Sequence, residues 1–303
     1  MKKVPVKEYL TSFSWLGVLV SVLLALLWPD PGEKYLAPFV RYFLMLLMFL
    51  ASLDVDFQKA KLSRISLRTL VFALAVIHFA TVIPVWLLQH FFDPEVYIGF
   101  LLIAGTATGM SNIFFSQLLG GEVYLALVVV SLSNLLAPLI IPIIILFFAQ
   151  QKLAFPLAKM VFSLMEIVLL PMLLGRVVIF WGLKQKIKEL SPYLSFGGMF
   201  FLVYGVVAPM TASLARNLNE TLSLSFLVLC FLSVSYLLGR LLGKNRPERI
   251  TLSLSCSFKN FTMAIVIAQE FFAPLTVLPA VVYALISNFL LAPLQYYYLK
   301  KKH

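Results

Sequence analysis

Charge is what this sequence has least of. Of its 303 residues 12% are charged and 61% are hydrophobic, and the mean hydropathy is +0.97. A soluble domain carries about 25% charged and roughly 45–50% apolar residues. No soluble fold of this length hides so much apolar surface, so the class is an all-α polytopic membrane protein. Cysteine is nearly absent. Cys230 and Cys256 both fall in apolar runs and read as small apolar side chains, with neither a disulfide nor a metal site. Histidine is as scarce: His78, His90 and His303 are scattered and no His-Glu-x-x-His is present, which removes a zinc centre. There is no Gly-x-x-x-x-Gly-Lys-Ser/Thr loop for nucleotide and no nucleophile–base pair, so no enzyme is expected and no cofactor is implied. The first apolar run, Thr11 to Trp28, ends in Trp28-Pro29-Asp30-Pro31 without a small-residue cleavage site, and reads as a retained span.

What charge there is sits between the apolar runs. The net charge is +11, but its distribution follows membrane topology and gives no nucleic-acid face. Basic residues gather at Lys2, Lys3 and Lys7, at Lys59, Lys61, Arg64 and Arg68, and at Arg176, Lys184, Lys186 and Lys188. Further groups are Arg240, Lys244, Arg246 and Arg249, then Lys300, Lys301 and Lys302. The alternate loops carry Asp30, Glu33, Asp93, Glu95, Glu220 and Glu270. About 20 apolar residues cross the hydrocarbon core, and ten such spans are drawn: 11–28, 36–53, 67–91, 97–119, 122–149, 154–180, 193–215, 221–243, 249–272 and 275–298. With ten, every basic group falls on one side, so the positive-inside rule puts both termini in the cytoplasm and the protein in the cell membrane.

Two short matches divide the chain. Ser133-Asn134-Leu-Leu-Ala-Pro138 in span five parallels Ser287-Asn288-Phe-Leu-Leu-Ala-Pro293 in span ten. Each follows a span interrupted by polar residues: Gly105-Thr106-Ala107-Thr108-Gly109-Met110-Ser111-Asn112 in span four, and Ser255-Cys256-Ser257-Phe258-Lys259-Asn260 in span nine. Residues 1–150 and 151–303 are therefore read as two five-helix repeats. Five is odd, so the second copy is inverted, and two interrupted helices at corresponding places mark a transporter's site.

An interrupted helix at mid-membrane frees backbone amides and carbonyls, tolerated only where protein or a cavity surrounds them. Thr106, Thr108, Gly109, Ser111 and Asn112 in one break, with Asn260 and Asn288, are the candidate substrate groups; Asn134 offers a further amide to bridge the breaks. The competing reading makes these residues interhelical glue, each contributing under about 1 kcal/mol. A lysine at this depth is costly unless it faces protein, water or ligand, which singles out Lys259. His78 in span three reads as a hydrogen-bonded histidine or a titrating group. Glu166 in span six reads as a paired acid or one facing a water-filled crevice, and Arg41 as a residue snorkelling to the interface.

The four motifs, in this order and spacing across nearly the whole chain, resemble the bile acid:sodium symporter family. The resemblance implies ten helices in inverted repeats, a panel domain of spans one, two, six and seven, and a core domain of spans three to five and eight to ten. Spans four and nine would cross as broken helices beside a substrate crevice, and members carry small organic anions, usually with two sodium ions. Carried over, Ser111 and Asn112 match sodium ligands, and Asn260 and Asn288 match crevice positions. The departures fall on the ion sites: Ser255 stands where the family has a glutamate, Lys259 where it has a glutamine, and His78 at or next to another glutamine. Ala126 and Val130 align with hydroxyl ligands.

Losing a carboxylate and gaining an ammonium makes the place repel cations; two like charges 4 Å apart cost about 4 kcal/mol even at an effective dielectric near 20. The expectation is a secondary transporter of a small organic anion that does without sodium. Lys259 would be a fixed cation in the second sodium site, with Lys259, His78 or Glu166 as the titrating group if protons are coupled. The alternatives are an ordinary sodium-coupled symporter, or a membrane sensor that binds without transport.

Overall fold

The computed structural model describes residues 14–54, 66–149, 156–216 and 218–302. Lys2, Lys3, Lys7, Lys59, Lys61 and Arg64, the start of the first expected span, and the expected repeat boundary at 150–151 lie outside the described residues. Those described form helices joined by short turns, with no strand among them.

Among the described residues, seven helical stretches are long and apolar enough to cross a membrane: Pro29–Leu53, Leu67–Leu87, Val123–Phe148, Leu157–Phe180, Lys184–Leu214, Thr221–Leu242 and Pro274–Leu291. Leu16–Leu27, Pro94–Gly105 and Phe261–Phe271 are shorter apolar helices. The chain is thus a polytopic all-α membrane protein. Large apolar side chains such as Phe162, Leu173, Phe180, Leu222, Phe226 and Phe289 stand exposed on it, a surface that suits lipid and not water.

In chain order, α1 is Ser14–Leu27, and α2, Val40–Asp54, follows three short turns from Pro29. The third span has α3 (Leu67–Ala75) and α4 (Val82–Leu87) joined by a π turn over Val76–Ala80. The fourth expected span is two helices, α5 (Pro94–Gly105) and α6 (Asn112–Leu119). Then come α7 (Val123–Phe148), α8 (Leu157–Phe180), α9 (Lys184–Val207), α10 (Thr211–Arg216) and α11 (Leu218–Leu242). The ninth expected span is also two helices, α12 (Arg246–Ser257) and α13 (Phe261–Phe271), and α14 is Leu278–Lys302.

The helices gather into two compact units, each assembled from segments distant in sequence. The first holds residues up to Asp54, Leu169–Leu218 and the chain from Leu285 onward. Here α9 lies along α1 and α2. A Cβ on Gly205 would come within 2.9 Å of the Leu36 backbone, so glycine is what lets those two backbones meet. Arg176 donates to the Ser52 carbonyl (2.7 Å), occupying an orphan acceptor in the last turn of α2.

The second unit holds Val55–Val168 and Asn219–Ala284. Leu70, Ala73 and Ile77 meet Leu125, Val128 and Val129 of α7 and Leu252 and Cys256 of α12 in one apolar cluster. The fit is close enough that a Cβ on Gly239 would stand 2.2 Å from the Leu252 carbonyl oxygen. Both interrupted spans belong wholly to this unit.

Candidate functional site

α5 stops at Gly105, whose neighbour Thr106 turns extended (φ −70, ψ 164). Neither Gly105 nor Gly109 has a positive φ; the two positive-φ glycines, Gly120 and Gly182, lie elsewhere. Gly109 matters through contact instead: its Cβ would meet the Lys259 carbonyl oxygen at 3.3 Å. The break in the other span uses neither glycine nor proline. Phe258 leaves the helix (φ −91, ψ 96), and Asn260 starts the next one by accepting from the Met263 amide (3.2 Å), the usual service of an N-cap asparagine.

The two breaks bond to each other as a short antiparallel bridge, Thr108 facing Lys259. The Gly109 amide donates to the Phe258 carbonyl (2.9 Å), and the Asn260 amide to the Ala107 carbonyl (2.7 Å). Phe258 also accepts from the Thr108 hydroxyl (3.2 Å) and the Asn112 side-chain amide (2.8 Å), and that amide donates to Thr108 Oγ1 as well. Asn134 of α7 ties both breaks together. Its Nδ2 donates to the Thr108 carbonyl (2.9 Å) and to Val130 of its own helix (2.8 Å), while its Oδ1 accepts from Asn260 Nδ2 (3.0 Å). The Gly109 and Asn260 amides and the Ala107, Thr108 and Phe258 carbonyls at the breaks are thus satisfied inside the protein, as a membrane interior demands.

Lys259 is 2% exposed. Its ammonium donates to the Ile77 carbonyl, to the carbonyls of Ala104 (3.0 Å) and Thr106 (3.5 Å), and to the Thr81 hydroxyl (3.3 Å). Every one of these partners is a neutral oxygen. The π turn explains one: Thr81 sends its amide back to Val76 (3.3 Å), leaving the Ile77 carbonyl for the lysine. Ala104 and Thr106 bracket the carboxyl end of α5, where the helix dipole is negative and a cation is favoured. Thr81 closes the cage, its one hydroxyl proton shared between the carbonyls of Ile77 (2.9 Å) and Ala104 (2.8 Å). Beside it the buried His78 bonds the Gly105 carbonyl through Nδ1 (2.8 Å).

Of the residues singled out from the sequence, His78, Thr106, Thr108, Gly109, Asn112, Asn134, Lys259 and Asn260 share this one network. Ser255 is buried on α12, and its hydroxyl, like Asn112 Oδ1 and Thr106 Oγ1, has no hydrogen-bond partner among the described residues. Ser111 is exposed at the start of α6. Glu166 is exposed on α8 and is not among the groups bonded to Lys259; Asn288 is half-buried and belongs to the first unit. Residues not foreseen are Thr81, the Ile77 backbone and Tyr283. The buried Tyr283 hydroxyl accepts from the Lys259 amide (2.8 Å) and donates to the Ser257 carbonyl. A tyrosine within an apolar run, whose hydroxyl needs a partner, was the available signal.

The SBF-like CPA transporter family model matches residues 13–298, nearly the whole chain. The chain belongs to that family. Its relatives include an uncharacterized sodium-dependent transporter, YocS of Bacillus subtilis, 25% identical over a 217-residue alignment that covers 68% of this chain and 65% of YocS. YbaS of the same organism, an uncharacterized protein, is 23% identical over 91% of both chains. A probable sodium/metabolite cotransporter of rice chloroplasts, BASS1, is 25% identical over 62% of this chain, which spans 48% of BASS1. The family likeness anticipated from the Ser-Asn motifs is borne out, and with it a transporter-type membrane protein.

Proposed function

We propose that this member of the SBF-like family is a secondary transporter of a small organic anion that works by alternating access without sodium. The observation that carries the reading is the Lys259 ammonium, held by four neutral oxygens from the third span and the end of α5. Carbonyl and hydroxyl oxygens in such a cluster suit a monovalent cation, and here a covalently attached one fills it. A sodium ion added within about 4 Å would meet repulsion of about 4 kcal/mol at an effective dielectric near 20. The chain needs no resident cofactor in this reading, and its energy comes from the substrate's own gradient or from protons, with Lys259, His78 and Glu166 as the titratable candidates.

The same reading takes residues 1–150 and 151–303 as inverted repeats, supported by the bonding of two interrupted helices at matching places. Spans one, two, six and seven would be the panel, and three to five with eight to ten the core. The anion binds beside the breaks, with Thr106, Thr108, Gly109, Ser111, Asn112, Asn260 and Asn288 as its candidate contacts, and both termini lie in the cytoplasm of the cell membrane.

A specific observation favours a second reading, the sodium-coupled symporter. Asn112 Oδ1 and the Ser255 hydroxyl are buried with no partner among the described residues, and two relatives carry sodium in their names. Proteoliposome uptake of labelled small carboxylates, bile acids among them, separates the two. Each compound is run with a sodium gradient, with a proton gradient and with neither. Uptake indifferent to sodium is expected; sodium-driven accumulation would overturn the first reading and leave the second, and binding without any flux would make the protein a sensor.

A further inference from the structure

Tyr283 belongs to an unbroken helix, α14, yet its hydroxyl bonds the interruption in another span. It accepts from the Lys259 amide at 2.8 Å and donates to the Ser257 carbonyl. Those groups flank Phe258, where α12 has ended and α13 has not begun. One phenol thus replaces, for one amide and one carbonyl, the helical bonds that the break removes. The ring is wholly buried and rests edge-on against Phe231 (centroids 6.2 Å, 73°), which meets Phe100 of α5 edge-on in turn (6.5 Å, 77°). With ring and hydroxyl both fixed, the Lys259 amide has one place to go, and the lysine's backbone fixes where its side chain starts.

We propose that Tyr283 is a positioning residue for Lys259: by pinning the backbone at the break it aims the ammonium into the cage of Ile77, Thr81, Ala104 and Thr106. The role rests on the reading of Lys259 as the site's own cation, and it explains a selectivity problem that reading leaves open. Lysine has four rotatable side-chain bonds and ordinarily seeks water. A cage on one side does not keep it inward unless its root is held as well, and Tyr283 holds the root.

Tyr283→Phe keeps the ring and removes both bonds. In the purified, detergent-solubilised full chain, hydrogen exchange of the segment 256–262 should rise at least tenfold, while exchange in α1 and α9 stays as in the wild type. Modification of Lys259 by a small amine-directed imidate, read by mass spectrometry, should rise by a similar factor. Carboxylate uptake should fall tenfold or more. A merely structural tyrosine would speed exchange in all helices together and leave Lys259 as protected as other buried groups, and that result overturns the proposal. If Tyr283→Phe does not fold, the wild type decides. Exchange at the Lys259 amide as fast as at exposed loop amides would overturn the proposal, and strong protection that Phe231→Leu weakens at segment 256–262 but not in α1 or α9 would support it. Sodium-driven uptake by the wild type would instead defeat the fixed-cation reading while leaving the exchange result standing.

Discussion

Replacing Lys259 is the perturbation on which most turns. Lys259→Met keeps a long apolar stem and removes the charge. Two terms then oppose each other. The Thr106 carbonyl loses the one donor described for it, and Ile77 and Ala104 are left to share the single proton of the Thr81 hydroxyl; an acceptor left bare in a dry interior costs about 1–3 kcal/mol. Against this, holding an ion out of water costs several kcal/mol even after relaxation, and that penalty disappears with the ammonium. The net effect on unfolding in sodium-free buffer should therefore be small. Sodium is where the difference appears. With the ammonium gone, four inward-facing oxygens are open to an ion, and Lys259→Gln adds a fifth from its amide. A site holding sodium at about one hundred times its dissociation constant gains about 2.7 kcal/mol. At about 2 °C per kcal/mol for a chain of this size, that is a rise of about 5 °C in unfolding midpoint. The assay is thermal unfolding of purified protein in sodium chloride against choline chloride at equal ionic strength. Lys259→Gln should respond to sodium, Lys259→Met weakly, and the wild type not at all. A wild-type rise of several degrees at millimolar sodium would refute the reasoning, since the cage could not then be filled by its own lysine.

Three further outcomes follow from the same contacts. Asn134→Ala cuts the links to the Thr108 carbonyl and the Asn260 amide; each membrane hydrogen bond contributes about 0.6 kcal/mol on average, so a drop of about 1–2 kcal/mol in unfolding free energy should accompany at least a tenfold loss of uptake. Gly109→Ala should be tolerated with a small shift, because 3.3 Å to the Lys259 carbonyl asks for a few tenths of an ångström, whereas Gly109→Val should abolish uptake in proteoliposomes of equal protein content. Arg176→Ala removes a charged hydrogen bond to Ser52, a contribution of about 1.5–3 kcal/mol; it should lower the unfolding midpoint by several degrees and leave the sodium response of Lys259→Gln unchanged.

Much of this could be read from residue type alone, because polar groups in apolar runs have few places to go. Asn112, Asn134 and Asn260 stood out for that reason, and they meet. The split of the fourth span was foreshadowed by Gly105 and Gly109, although their φ angles are ordinary and Gly109 serves to let the Lys259 backbone approach. The direction of a side chain is another matter. Ser111 and Asn112 are neighbours with the same expected role, yet Ser111 is exposed and Asn112 fully buried. Helix phase at a break depends on where the next helix starts, which a span-length window does not resolve. The π turn at Val76–Ala80 is equally silent in sequence: one amide chooses the fifth carbonyl back, and the freed Ile77 carbonyl becomes a cage member.

The two breaks solve the same electrostatic problem in different ways. Each interrupted span presents the carboxyl end of a half-helix to the protein interior, with bare carbonyls and negative dipole. At the end of α12 the Phe258 carbonyl takes Gly109, Thr108 and Asn112, and Ser257 takes Tyr283: four neutral donors and no charge. At the end of α5 the carbonyls of Ala104 and Thr106 take a full positive charge from Lys259. If the halves descend from one repeat, that asymmetry is where their chemistry diverged. A neutral residue at Lys259 would leave the end of α5 in need of an external cation, and the cage of Ile77, Thr81, Ala104 and Thr106 is already shaped to receive one. In the fixed-cation reading proposed above, Lys259 is the side chain that stands in for such an ion, provided the backbone that carries it stays pinned.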